Sequence, residues 1–255
     1  MNRQFRHTYT VRYDEGNAYG LLTPAAFIRY MQDVAALDAE DAQLSGPGYW
    51  VVKRSVISFA APVPLHTRLE LKTFGIGFTR ITAQRGYEAR IVGAEHNAPV
   101  ISARTLWVYL DTRGRPTRLP EQTAQIWLPD GPLPQQPEAP WSAFPQSRPH
   151  CVEYPVRSSD IDIMKHMNNA AYVEALDNAV WEAYKEAGIL PDAAAINALE
   201  YDIEYAESAR FGERLEIQSW FDPFPSEGKE FSRLQQIKRE GALLLRARSR
   251  WLWQK

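Results

Sequence analysis

The sequence predicts an α+β chain made of two similar halves, each a long helix wrapped by a curved antiparallel sheet. Three observations lead there: an ordered internal repeat, one long helical periodicity followed by alternating strands in each half, and a proline-rich stretch where the repeat places a junction.

The repeat comes first because it fixes how everything else is read. Tyr9-Thr-Val-Arg12 returns as Tyr154-Pro-Val-Arg157, and Thr23-Pro-Ala-Ala-Phe-Ile falls on Asn168-Asn-Ala-Ala-Tyr-Val, both at an offset of 145 residues. Phe59-Ala60 and Arg68-Leu-Glu-Leu71 fall on Tyr205-Ala206 and Arg214-Leu-Glu-Ile217 at 146, and Ala103–Tyr109 falls on Ala247–Trp253 at 144. One short match arises by chance; an ordered series at near-constant offset marks a duplication. Residues 129–149, PDGPLPQQPEAPWSAFPQSRP, hold seven prolines. Proline removes backbone donors and disfavours helix and central strand, so this is read as an extended connection. The expected division is 1–128, a linker over 129–149, and 150–255.

Within each half the elements follow one order. A short strand is expected at Tyr9–Tyr13 and at Glu153–Arg157. A helix then runs from about Thr23 to Leu44, with Phe27, Met31, Val34 and Leu37 or Asp38 at helical spacing and Thr23-Pro24 as cap and first helical residue. Its counterpart spans about Asn168 to Ala187, where Tyr172, Leu176, Ala179 and Ala183 form the inward stripe, Asn168 caps and Gly188 closes. Strands are expected at 49–59, 68–75, 79–92 and 100–110, and again at 198–206, 214–221, 229–239 and 243–253. Arg246-Ala-Arg-Ser-Arg250 alternates charge with small residues, as a strand with one wet face does. A helix followed by a meander buries one face of each.

Composition narrows the function. Hydrophobic residues make up 45 % and charged residues 24 % of 255, the balance of an ordinary globular chain. No apolar run approaches the ~20 residues that span a bilayer, so no membrane span is expected. The N-terminus has no apolar stretch behind its basic residues, so no secretory signal is read there and a cytoplasmic location is expected. A net charge of −2 argues against nucleic acid as a partner. Cys151, the single cysteine, is read as a linker residue rather than a nucleophile. No metal-ligand spacing, phosphate loop or G-x-S-x-G occurs, so neither metal nor cofactor is expected.

Duplication supplies an internal control: shared positions are scaffold, and polar positions present in one half are candidates for chemistry. The second half reads Asp162-Ile-Met-Lys-His166-Met-Asn168-Asn169 where the first reads Asn17-Ala-Tyr-Gly-Leu21-Leu-Thr23-Pro24. Glu204 faces Ser58. One active site is therefore expected, in the second half. Asp162 and His166 precede a helix N-terminus, whose free N–H groups and dipole favour developing negative charge. Asp162 is a candidate general base or nucleophile, His166 an orienting or proton-shuttling group, Asn168 a holder of substrate or water, and Glu204 a second carboxylate across the cleft. Asp160 and Asn169 are read as turn residues.

The segment SSDIDIMKHMNNAAYVEALDNA resembles the site motif of hot-dog thioesterases, D-x-x-x-H-x-N-N-x-x-Y, on Asp162, His166, Asn168, Asn169 and Tyr172. Gly48–Arg54, Ala103–Pro116 and Leu199–Tyr205 resemble strands of the tandem acyl-[acyl carrier protein] thioesterases of plants and bacteria. The resemblance implies a tandem (double) hot-dog fold and hydrolysis of fatty acyl thioesters, with acyl carrier protein as preferred partner and free fatty acid as product. It departs at Met164, where the plant-type motif has asparagine, and at Tyr205, where that family often has cysteine. The first half, lacking the polar set, is expected to hold the acyl chain, with Phe27, Met31, Trp50 and Phe59 as candidate walls. Arg246, Arg248 and Arg250, or Arg80, Arg85 and Arg90, are candidates for a basic rim facing an acidic carrier, against the plainer reading of solvated strand faces. An acyl-CoA thioesterase, a hot-dog dehydratase and a non-catalytic acyl-thioester binder stay open as alternatives, and so does pairing into a homodimer.

Overall fold

The repeat in the sequence is a repeat of architecture. The computed structural model of the chain describes residues 1–44, 46–95, 98–134 and 137–254. In the first half β1 (Gln4–Thr10) and a 3-10 turn at Tyr13–Glu15 precede α1 (Pro24–Asp41), followed by β2 (Tyr49–Phe59), β3 (Arg68–Phe78), β4 (Thr82–Ile91), β5 (Ile101–Leu110) and the short α2 (Thr123–Trp127). In the second half β6 (His150–Pro155) and a 3-10 turn at Ser158–Asp160 precede α3 (Asn169–Glu186), then β7 (Ile196–Tyr205), β8 (Arg214–Asp222), β9 (Glu230–Arg239) and β10 (Ala242–Trp253). Both long helices have 18 residues and start 145 residues apart. The strand order is β1-β3-β4-β5-β2 in the first half and β7-β10-β9-β8-β6 in the second, the same winding twice, with antiparallel ladders throughout. Each half is a hot dog: one helix on the concave side of a five-stranded sheet.

Two compact units are formed: Met1–Glu15 with Arg29–Trp141, and Gly16–Ile28 with Ser142–Lys255. The linker is tied down at both ends. In the first unit Arg54 donates to the Ala139 carbonyl at 2.8 Å and lies over the Trp141 ring, while Glu138 pairs with Arg104. In the second, the Trp220 indole donates to the Ser147 carbonyl at 2.8 Å, with Phe144 against its ring. Gln135 and Gln136 of the expected linker lie outside the described residues.

Local chemistry sets the element ends. Thr23 Oγ1 accepts from the Ala26 N–H at 3.2 Å, with Pro24 at the first helical position of α1. Asn168 Oδ1 accepts from the Ala170 N–H at 2.9 Å, and α3 ends before Gly188, whose φ of +78° suits glycine. The first strand begins at Gln4 rather than the expected Tyr9 and stops at Thr10, because residues 11–15 turn around a buried carboxylate instead of extending. The helix α2 was not anticipated; five residues carry too little periodicity to announce themselves.

Both cores are conventional: Phe27, Leu69, Leu71 and Ile101 in the first half and Leu176, Ile203, Leu215 and Ile217 in the second are sealed from solvent. Under each helix an arginine of the fourth strand meets a helical aspartate. Arg85 donates to Asp38 at 2.6 Å, and Asp38 also accepts from Arg3 and from the Trp127 indole. Arg233 pairs with Asp177 at 3.1 Å and donates to the Tyr184 hydroxyl. Buried charges persist when they are this fully partnered. Burial pushes the Asp177 carboxyl up to about 6, against the opposing pull of Arg233 and the Tyr201 hydroxyl.

Candidate active site

The turn before α3 is built by backbone first. The Asp162 N–H donates to the His166 carbonyl at 3.0 Å and the Lys165 N–H to the Asp162 carbonyl at 2.9 Å, closing a tight loop with Lys165 at φ +61°. Behind it Asp160 is buried, accepting the Arg157 N–H at 2.7 Å and the Tyr154 hydroxyl at 2.8 Å. The Asn168 N–H donates to the Asp160 carbonyl at 2.8 Å and the Met167 N–H to the Ala209 carbonyl at 2.9 Å. Asp160 thus shapes the turn, as expected from its position.

On this frame the side chains fall into place. Asp162 Oδ1 accepts the Met164 N–H at 2.9 Å, and Oδ2 accepts from Asn168 Nδ2 at 3.3 Å. Because Asn168 spends its oxygen on capping α3, only its amide nitrogen is left for Asp162, so the cap orients the carboxylate. The half-buried His166 imidazole makes no hydrogen bond among the described residues, leaving both ring nitrogens for substrate or water. Met164, where a polar contact was lost, contributes its backbone, and its side chain is exposed beside the fully exposed Ile163. Tyr172 acts as an anchor: its hydroxyl accepts the Ala209 N–H at 2.6 Å, and burial pushes it up to about 12.

Glu204 lies elsewhere in this arrangement. It pairs with Arg246, directly opposite on β10, at 2.7 Å from Nε and 2.5 Å from Nη2. Side chains alternate along a strand. Tyr201 and Tyr205 point to α3, reaching Asp177 and the Asn169 carbonyl at 3.2 and 3.4 Å, so Glu204 sits on the other sheet face. The structure brings Asp162, His166 and Asn168 into one turn; it places Glu204 in a ladder with Asp202–Arg248 and Glu200–Arg250. That ladder takes up Arg246, Arg248 and Arg250. Arg85 is held by Asp38 and Arg90 pairs with Glu88, leaving Arg80 as the exposed cation of the second set. Cys151 is exposed, and burial and Glu216 raise its thiol pKa, the opposite of an activated nucleophile.

The first half contains the same turn without the chemistry. The Asn17 N–H donates to the Leu21 carbonyl at 2.8 Å, the Gly20 N–H to the Asn17 carbonyl at 2.9 Å, and Gly20 has φ +68°. Asn17 Oδ1 accepts the Tyr19 N–H at 2.9 Å, as Asp162 accepts that of Met164, and buried Glu15 does what Asp160 does. Pro24 then removes the N–H that Asn169 retains at the first helical position.

What the first half has instead is space. A cavity of about 230 Å³ lies within the first unit between α1 (Gln32, Ala35, Ala36, Ala39), the sheet (Trp50, Phe78, Ala83, Trp107) and α2 (Thr123, Trp127). Of the expected wall residues Trp50 lines it; Phe27 and Met31 are packed in the core, and Phe59 is not among the lining residues. The cause is legible at the repeat offset: Ala35, Ala36 and Ala39 stand where α3 has Val180, Trp181 and Tyr184. In the second half the Tyr184 ring meets Trp181, Phe221, Phe224 and Phe231.

Comparison with known proteins follows the same division. Residues 2–126 match the family model for the acyl-ACP thioesterase N-terminal domain, and residues 156–253 that of the thioesterase-like superfamily. A search of curated proteins found no match. Among solved structures, a protein described as an oleoyl thioesterase from Lactobacillus plantarum is similar at TM-score 0.85 and 15% identity, covering 99% of this chain and 96% of its own. The 12:0-ACP thioesterase of Umbellularia californica is similar at TM-score 0.79 and 16% identity, over 97% and 93%. An acyl-ACP thioesterase of Bacteroides thetaiotaomicron gives 0.76 and 18%, over 97% of both chains. Among the described residues no helix is long and apolar enough to cross a membrane, and no cluster of metal-ligating side chains occurs.

Proposed function

Because the chain belongs to the acyl-ACP thioesterase family and is a thioester hydrolase, we propose that its second half cleaves fatty acyl-[acyl carrier protein] at Asp162 while its first half receives the acyl chain. The observation that carries this is the difference between two otherwise matching turns: a carboxylate held by Asn168 in one, an amide in the other.

The thioester carbonyl oxygen is placed at the N-terminus of α3, where N–H groups and the helix dipole favour the charge it gains. Asp162 takes a proton from water as the water oxygen bonds to the carbonyl carbon. Collapse of the tetrahedral species breaks the C–S bond, and the proton passes to the leaving sulfur, giving a free acid and a thiol. Asn168 fixes the carboxylate, and His166, which has no hydrogen-bond partner among the described residues, holds the water or relays the proton. Glu204, paired with Arg246, acts on the site's electrostatics and contributes less than Asp162. We place the reaction in the cytoplasm, on one chain or a homodimer.

The test is release of free thiol from matched acyl-carrier-protein and acyl-coenzyme-A substrates by wild type and D162N. Asn17 shows that this turn accommodates an amide, so D162N keeps the fold; activity should drop ~10²–10⁴-fold. Faster turnover of the coenzyme A substrate would overturn the carrier, and full activity in D162N would overturn the site. Tight acyl-thioester binding without turnover by wild type would leave a binder.

A further inference from the structure

We infer that Trp127 of α2 is the stop against which this enzyme measures its acyl chain. The inference rests on the reading that the cavity of the first half receives the acyl group.

The cavity has a mouth and a floor, distinguished by burial. Ala36 at one side is exposed and Gln32 and Ala39 are half-buried, whereas Ala83, Thr123 and Trp127 are at most 8% exposed. A chain entering beside α1 therefore ends against α2. Trp127 is the large side chain there, and it is clamped. Its indole N–H donates to Asp38 at 2.6 Å, and the Arg85 guanidinium lies 5.6 Å from its ring centre. Asp38 is fully buried and is itself held by Arg3 and Arg85, so the ring cannot swing aside without breaking an ion cluster. At Gly75, which also lines the cavity, a Cβ would meet the Trp127 Cβ at 3.1 Å, so β3 packs closely against the base of this side chain. A floor held by charge at the ring and by backbone at its base gives a definite length.

Volume sets the scale. About 230 Å³ holds about eight groups of roughly water or methylene size. Each further methylene must displace a packed, hydrogen-bonded indole, and an apolar pocket discriminates by about tenfold or more per methylene.

The experiment measures kcat/KM for saturated acyl-carrier-protein substrates of eight to eighteen carbons with wild type, W127A, W127L and A39F. Wild type should show a peaked profile that falls about tenfold or more for chains a few carbons beyond the peak. W127A and W127L should move the peak up by about two carbons or more; W127L covers the case in which W127A does not fold. A39F, which narrows the cavity nearer its mouth, should move the peak down. If A39F leaves the profile unchanged, the acyl chain is not in this cavity and the underlying reading fails. If A39F shortens the preference but folded Trp127 variants do not lengthen it, the stop is elsewhere and this inference alone fails. A wild-type profile with no fall at the longest chains overturns the stop.

Discussion

Residues 16–24 and 161–169 are the same turn written twice, and comparing them separates what holds the backbone from what only the second copy carries. Both close with an N–H to carbonyl bond over four residues, at 2.8 and 3.0 Å, both put the fourth residue in left-handed conformation, and both rest on a buried carboxylate. None of that depends on Asp162, His166 or Asn168, since Asn17, Leu21 and Thr23 occupy the same frame. The frame is structural; the three side chains are surplus to it. The helices teach the converse. With the backbone again shared, three alanines leave room in the first half and Val180, Trp181 and Tyr184 occupy it in the second.

The sharpest way to break the comparison is D162N, which writes the first half's functional group into the second. Thiol release should fall ~10²–10⁴-fold with the melting temperature almost unchanged. Next comes H166L, the first half's own residue: a loss of ~10²-fold is expected, and because the imidazole has no hydrogen-bond partner among the described residues the fold should tolerate it. Writing the second half's helix into the first, as A36W with A39Y, fills the cavity. Turnover of chains of twelve carbons or more should drop by ~10-fold or more, while that of the shortest substrates survives. E204Q should cost only several-fold, since the carboxylate answers Arg246 rather than the reacting atoms; a loss as large as that of D162N would restore it to the centre of the mechanism.

The smallest effect lies in the second half's buried pair. Asp177 has its pKa raised to about 6 from an ordinary value of 3.8, so the folded state binds its proton more tightly than the unfolded chain does. That stabilisation is complete below the unfolded value and is lost as pH rises toward about 6. Melting of wild type and D177N across pH 4 to 7 should show this downward slope in wild type superposed on its other titrations, with D177N lacking it. Equal slopes would dismiss Asp177 as the source.

Much of this was legible in residues alone, and the reasons for the exceptions are physical. Repeat offset and periodicity located both long helices to within three residues, because an 18-residue amphipathic helix has a loud signal. The cluster Asp162–His166–Asn168 was visible because the first half lacks it. Glu204 was placed on its strand, but its partner was not: pairing with Arg246 depends on cross-strand register, which is set by residues some forty positions away. The same blindness made Arg246, Arg248 and Arg250 look like a free basic face. The pairing of Asp38 with Trp127 escaped notice because it spans 89 residues of sequence.

Pro24 has a consequence for how such a protein can change. Restoring a working turn to the first half would take N17D, L21H and T23N, and also a replacement of Pro24 to recover the N–H that Asn169 offers. Side-chain exchange alone therefore cannot make the two turns equivalent: one ring at the first helical position acts as a latch, keeping the first turn distinct from the second whatever its side chains become.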